Sequence, residues 1–213
     1  IASAPDDLTA ALSQFDELFR RLYQFSCCYW GCHGKEHVFE HLAGRCVSSL
    51  ASGWQLTETG YYDEALSLVR SVGEIANLLN LFWCDNSEVR HWLDLPERER
   101  RNRYRPAKVR DQLRKLNWLV PFDDKHYGRL CELAVHPTPG TKPNAHHDLQ
   151  RSVVGAYFQA EGFSFAAWEL CWALSAVSGP IAKLAIFPVA EAMAMVEVTV
   201  TLFELAAKHI DYQ

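Results

Sequence analysis

Apolar residues recur along the chain at three- and four-residue steps, the spacing that lines one face of an α-helix. From Asp6 to Phe25 the series Leu8, Ala11, Leu12, Phe15, Leu18, Phe19 and Leu22 predicts an amphipathic helix that opens on the acidic pair Asp6-Asp7. A second helix is expected near Lys35 to Ser52, closed by Gly53 and the polar run to Gly60. The third, about Tyr61 to Trp83, is apolar round most of its circumference, and its polar residues Asp63, Ser67, Arg70, Glu74 and Asn77 share one narrow strip. Shorter helices are predicted over Ser87 to Leu95, Pro106 to Asn117, and from Asp123-Asp124 to His136, where Pro137 disfavours helical backbone before it. The prolines and glycine that follow suit a loop, and residues 152 to 165 suggest a small β-hairpin or the ragged start of a helix. Two further helices are expected over Ser164 to Ser178 and Pro188 to Ile210, the second carrying a Glu204–Lys208 pair. The pattern predicts an all-α fold: one domain over residues 1 to 213, a bundle of six to eight helices.

The stretch from Phe163 to Ala182 contains a single charge, Glu169, and just reaches the length of a membrane span. Ser178-Gly179-Pro180 near its end and the lack of a flanking basic cluster favour a buried core helix instead. With 49% hydrophobic residues the chain has ample material for such a core. Seven cysteines, an odd number in a chain too long to need disulfide staples, point to reduced thiols, and with no secretory leader expected the predicted location is cytoplasmic, away from membranes.

The formal charge of -5 hides an uneven distribution. Residues 97 to 115 hold nine Arg or Lys against three acids, so that segment is strongly basic and the rest of the chain strongly acidic. Arg98, Arg100, Arg101, Arg103 and Arg105 are its candidate RNA contacts, because phosphate neutralisation supplies most nonspecific affinity for nucleic acid. On the third helix, Arg70 and Glu74 are one turn apart, either as an ordinary ion pair or, with Asn77, as the lining of a polar pocket between helices.

Arg129 and His136 stand seven residues apart, nearly two turns, which projects both from one face of their expected helix. An imidazole can exchange a proton near neutral pH and a guanidinium can hold a phosphate, a combination suited to phosphodiester chemistry. Cys27, Cys28, Cys32, His33, His37 and His41 form a Cys/His-rich tract, but one straight helix would set His33 and His41 about 12 Å apart, too far to share an ion. His136, His146, His147 and Asp148 form a second polar group beside the proline loop. Neither is expected to hold a metal, and with no Gly-rich phosphate loop or dinucleotide fingerprint no cofactor is expected.

The run Arg129-Leu-Cys-Glu-Leu-Ala-Val-His136 fits the Arg, four to six residues, His pattern of the HEPN superfamily, all-α proteins many of which are RNases of toxin and phage-defence systems. The segment Gly60 to Glu74 looks like an upstream helix of a bacterial branch of that group, so the chain resembles the family over roughly residues 60 to 137. The resemblance implies RNA binding or metal-independent RNA cleavage, with Arg129 and His136 catalytic, Arg70, Glu74 and Asn77 supporting them, and a homodimer in which two sites meet. The competing expectation is a non-catalytic interaction or dimerisation protein of a regulatory or defence system, and a third is a small-ligand sensor with its pocket at Arg70 and Glu74.

Overall fold

A computed structural model describes residues 6–137 and 154–210. They are all-α: α1 (Asp6–Ser26), α2 (Val38–Thr59), α3 (Tyr62–Cys84), α4 (Ser87–Asp94), α5 (Glu97–Arg103), α6 (Pro106–Lys115), α7 (Asp124–Ala134), α8 (Ala160–Leu184) and α9 (Val189–Ala207). The core lies between α1, α2, α3, α8 and α9, with α8 at its centre. Trp172, Phe82 and the leucines of α1 and α3 fill it. Each such side chain contributes roughly 1.5–3 kcal/mol by leaving water.

Several boundaries differ from the sequence expectation, each for a local reason. Helix α2 runs through Gly53, because Thr57 returns its hydroxyl to the Gly53 carbonyl at 2.8 Å and both residues are buried, and it ends where Gly60 takes a left-handed φ of 86°. It also begins later than expected. His37, at a left-handed φ of 48°, precedes its first turn, so His33 to His41 is not one straight helix. The basic segment forms a short helix of its own, α5, in addition to α6.

Helix α8 starts at Ala160, where the Gln159 N–H donates to the Tyr62 hydroxyl at 3.0 Å and Phe163 packs on Trp54. The suggested hairpin therefore does not form over residues 154 to 165, and residues 152 and 153 lie outside the described ones. Nor does Pro180 stop this helix, which continues to Leu184. A proline at 180 cannot donate to the Ala176 carbonyl, and the Asn80 side-chain amide reaches that carbonyl from α3 at 3.4 Å. Among the described residues α8 is the one helix long and apolar enough to cross a membrane, and 89% of its apolar window is buried inside the protein. At the far end of α9, Lys208 sits 3.8 Å from Asp7 of α1 in place of the expected pair with Glu204.

Candidate functional site

The polar strip of α3 is a docking seam for α7. Ser67 donates to the Ala134 carbonyl at 2.8 Å, at the C-terminal end of α7. Arg70 donates to the Tyr127 hydroxyl at 2.5 Å, and that hydroxyl donates in turn to Glu74 at 2.9 Å, while Arg70 and Glu74 form their own 3.1 Å ion pair. Buried Asn77 bonds the main chain of Phe122 twice, amide to carbonyl at 2.8 Å and N–H to side-chain oxygen at 3.2 Å, which fixes the chain just before α7. The approach is close enough that Gly73 has no room for a side chain, since a Cβ there would lie 2.6 Å from the Phe122 ring.

A second clamp comes from α6. The Arg110 side chain is buried, 4.4 Å from the centre of the Tyr127 ring, and donates to Asp124 at 2.6 Å. Burial raises the Asp124 carboxyl, but the Arg110 and Arg114 guanidiniums outweigh it and hold its pKa below the ordinary value. Tyr127 moves the other way. Burial first, then its bond to Glu74, pushes its pKa up to about 12, so at neutral pH it stays a donor to Glu74.

On its other side α7 meets the core helix α8 through a buried pair, with His126 Nε2 2.7 Å from Glu169 Oε2. The imidazole stacks on Phe122 with ring centres 4.7 Å apart, and Trp172 donates to the Pro121 carbonyl at 3.0 Å beside it. The sequence reading passed over Arg110, His126 and Tyr127. The available signal was Glu169 itself, because a lone carboxylate in an apolar helix requires a partner.

These contacts use the inner faces of α7. Arg129 is two residues, about 200° of helix, from Tyr127, and therefore points away from Arg70 and Glu74. It is exposed, with its guanidinium 4.8 Å over the Phe165 ring of α8. The helix ends at Ala134, two residues short of the expected stop, because Val135 leaves helical geometry at φ -126° and the His136 N–H turns back to the Cys131 carbonyl at 2.8 Å. His136 is exposed just beyond that end. Among the described residues no hydrogen bond or ion pair joins Arg129 to His136, and neither side chain meets a carboxylate. Lys125 and Glu132 are also exposed on α7. Arg70, Glu74 and Asn77 thus gather on the inner side of α7, while Arg129 and His136 stay outside.

The basic segment divides between folding and solvent. Arg103 pairs with Glu88 at 2.6 Å, Arg101 with Glu97 at 2.6 Å, and Arg100 lies over the Trp92 ring at 5.7 Å. Arg98 and Arg105 are exposed and form no ion pair among the described residues. In the Cys/His-rich tract, Cys28, Cys32 and His37 come together, while His33 accepts the Ile186 N–H at 3.1 Å. His146, His147 and Asp148 lie outside the described residues. Comparison of the chain with protein families, characterised proteins and solved structures returns no match.

Proposed function

We propose that this protein is a HEPN-like RNA-binding protein, in which Arg129 on the outer side of α7 and His136 just past its C-terminal end engage the phosphodiester backbone and cleave it without a metal. The observation supporting this reading is that, among the described residues, both side chains are exposed and meet no acid, Arg129 on a helix clamped from three directions by α3, α6 and α8 and His136 two residues past the end of that helix. A group on a rigid, pre-positioned element loses little freedom when substrate arrives. The chemistry needs few further parts. The ribose 2′-hydroxyl is the nucleophile, His136 accepts its proton or supplies one to the leaving oxygen, and Arg129 neutralises charge growing on the phosphate. Arg98 and Arg105 add sequence-independent contacts to the RNA backbone. Arg70, Glu74 and Asn77 hold α7 in place and do not touch RNA.

The test is cleavage of single-stranded RNA by purified protein in EDTA. Wild type should cleave, and His136→Ala should be slower by about 10²- to 10⁴-fold, the usual worth of a general acid or base. Replacing Arg98 and Arg105 by Gln should flatten the dependence of RNA binding on salt. Failure of wild type to bind RNA above background at low salt would remove the reading.

A second reading rests on α9. Val189, Met193 and Val200 are exposed on this helix, and Ile186 is exposed just before it, an apolar surface suited to an interaction protein that pairs with a second copy. Sedimentation across a concentration series distinguishes them: a dimer with no RNA affinity would favour interaction, whereas a dimer that cleaves RNA fits the first reading.

A further inference from the structure

The loop between α1 and α2 is built round a group of metal-ligating atoms. The Cys28 and Cys32 thiols and one His37 ring nitrogen all lie within 4.8 Å of one another, with Cys28 Sγ 3.5 Å from His37 Nδ1. Two of the three residues, Cys28 at φ 55° and His37 at φ 48°, occupy the left-handed backbone region that non-glycine residues avoid. Such conformations persist where the surroundings over-determine them, and here they turn both side chains to one point. The frame is fixed by other residues. Trp30 packs on Phe187 with ring centres 5.4 Å apart, His33 accepts the Ile186 N–H, and the His33 N–H donates to buried Glu40. His33, Trp30 and Glu40 are therefore occupied in shaping the loop, whereas Cys28, Cys32 and His37 turn their ligating atoms towards each other, with the His41 ring 5.8 Å from that of His37.

We infer that Cys28, Cys32 and His37 form a zinc-binding site, with three protein ligands and a fourth position open to solvent. Two thiolates and an imidazole are ligands zinc prefers, and a tetrahedral ion can be met by three donors this closely grouped. Binding displaces the two thiol protons to solvent, and the dication offsets the charge of the adjacent thiolates. Sequence spacing alone argued against this, because it measured His33 to His41 along a helix. The left-handed turn at His37 removes that obstacle, and the ligands become Cys28-x3-Cys32-x4-His37. Both Cys28 and His37 are half-buried while Cys32 is exposed, which leaves an access path for the ion. The inference is independent of the RNA reading, since the loop shares no residue with α7.

The experiment is metal analysis of the full chain, purified under reducing conditions and reconstituted with zinc alone. One zinc per chain is expected, and cobalt in its place should give the visible bands of a tetrahedral ion with thiolate charge-transfer absorption. Cys32→Ser and His37→Asn should each weaken zinc binding by at least the roughly 10- to 100-fold that follows loss of a mere outer-shell partner. Cys32 is exposed and asparagine tolerates the left-handed backbone, so both variants should keep the wild-type circular dichroism. Cys84→Ser should bind as wild type does. Less than stoichiometric zinc after reconstitution of the reduced protein, or binding by the two ligand variants equal to that of wild type, would each overturn the proposal.

Discussion

Helices α7 and α8 are attached to the same partner, α3, by opposite means. Helix α8 is buried over most of its length and is held by apolar packing, with one charge in its middle. Helix α7 has eleven residues, of which three are buried, and is held by a network of hydrogen bonds and ion pairs. Apolar packing is non-directional and tolerates small adjustments, whereas a hydrogen-bonded seam fixes position and rotation. The difference teaches why a marginal helix can be as well placed as a core one. It also separates residues that orient α7 from residues that α7 presents.

The largest effect is expected where the two modes meet. Glu169→Leu should destabilise by about 3–5 kcal/mol, since it leaves His126 buried without its carboxylate. Pairing Glu169→Met with His126→Phe should recover most of that loss, because the replacement of both partners by apolar groups of similar size is often neutral. Denaturant titration of the single and double variants gives the comparison. If the double variant is no more stable than the single, the pair's value lies in orientation and not in mutual neutralisation.

Next comes the seam itself. Asn77→Ala should cost about 1–3 kcal/mol, because it removes the partner of both the N–H and the carbonyl of buried Phe122. The loss should appear as increased hydrogen exchange over 121–134 while α8 stays protected, the outcome that distinguishes a seam from a core. Equal loss of protection in both helices would dissolve the distinction.

Tyr127→Phe is smaller, about 0.5–1.5 kcal/mol at neutral pH. Its pH dependence carries more information than its size. The folded pKa of Tyr127, pushed up to about 12, lies above the ordinary value of 10, so its contribution is full below pH 10 and is lost as pH rises from 10 towards 12. The stability gap between wild type and Tyr127→Phe should therefore narrow across that interval. Tyr104, raised to about 12 by burial and by Glu88, titrates in the same range in both proteins and cancels from the difference.

The contrast between the two helices also explains what could be read from the chain. The apolar steps of α1, α3 and α8 state which faces are buried, and the all-α fold follows from them. The strip Ser67, Arg70, Glu74, Asn77 was equally visible as a set, but its meaning depends on what it faces. Its partners Phe122, Tyr127 and Ala134 are 45 to 67 residues away, and periodicity within one helix holds no record of them. The fate of Pro180 was hidden for the same reason, since the amide that answers the freed carbonyl belongs to Asn80 on another helix. At Cys28 and His37 the obstacle was backbone conformation, because a left-handed residue other than glycine leaves no mark in hydropathy.

The smallest expected effect on stability is also the sharpest test of the division within α7. Arg129 and His136 are exposed, and neither closes a hydrogen bond to the rest of the fold through its side chain among the described residues. Substitution of exposed residues away from caps and cores usually changes stability by less than about 0.5 kcal/mol. Arg129→Ala gives up its place over the Phe165 ring, worth about 0.5–1 kcal/mol at an exposed position, and His136→Ala should give up less. Both should leave thermal unfolding close to wild type. Under the proposed function both should nevertheless slow RNA cleavage strongly, His136→Ala by about 10²- to 10⁴-fold, whereas Tyr127→Phe should lower stability and leave cleavage largely intact. The reverse pattern, with cleavage following Tyr127 and Glu74 and indifferent to Arg129 and His136, would move the site to the inner side of α7 and recast its seam as a binding pocket. Measurement of melting temperature and RNA turnover on the same preparations decides between the two faces, because each variant is expected to move one quantity and spare the other.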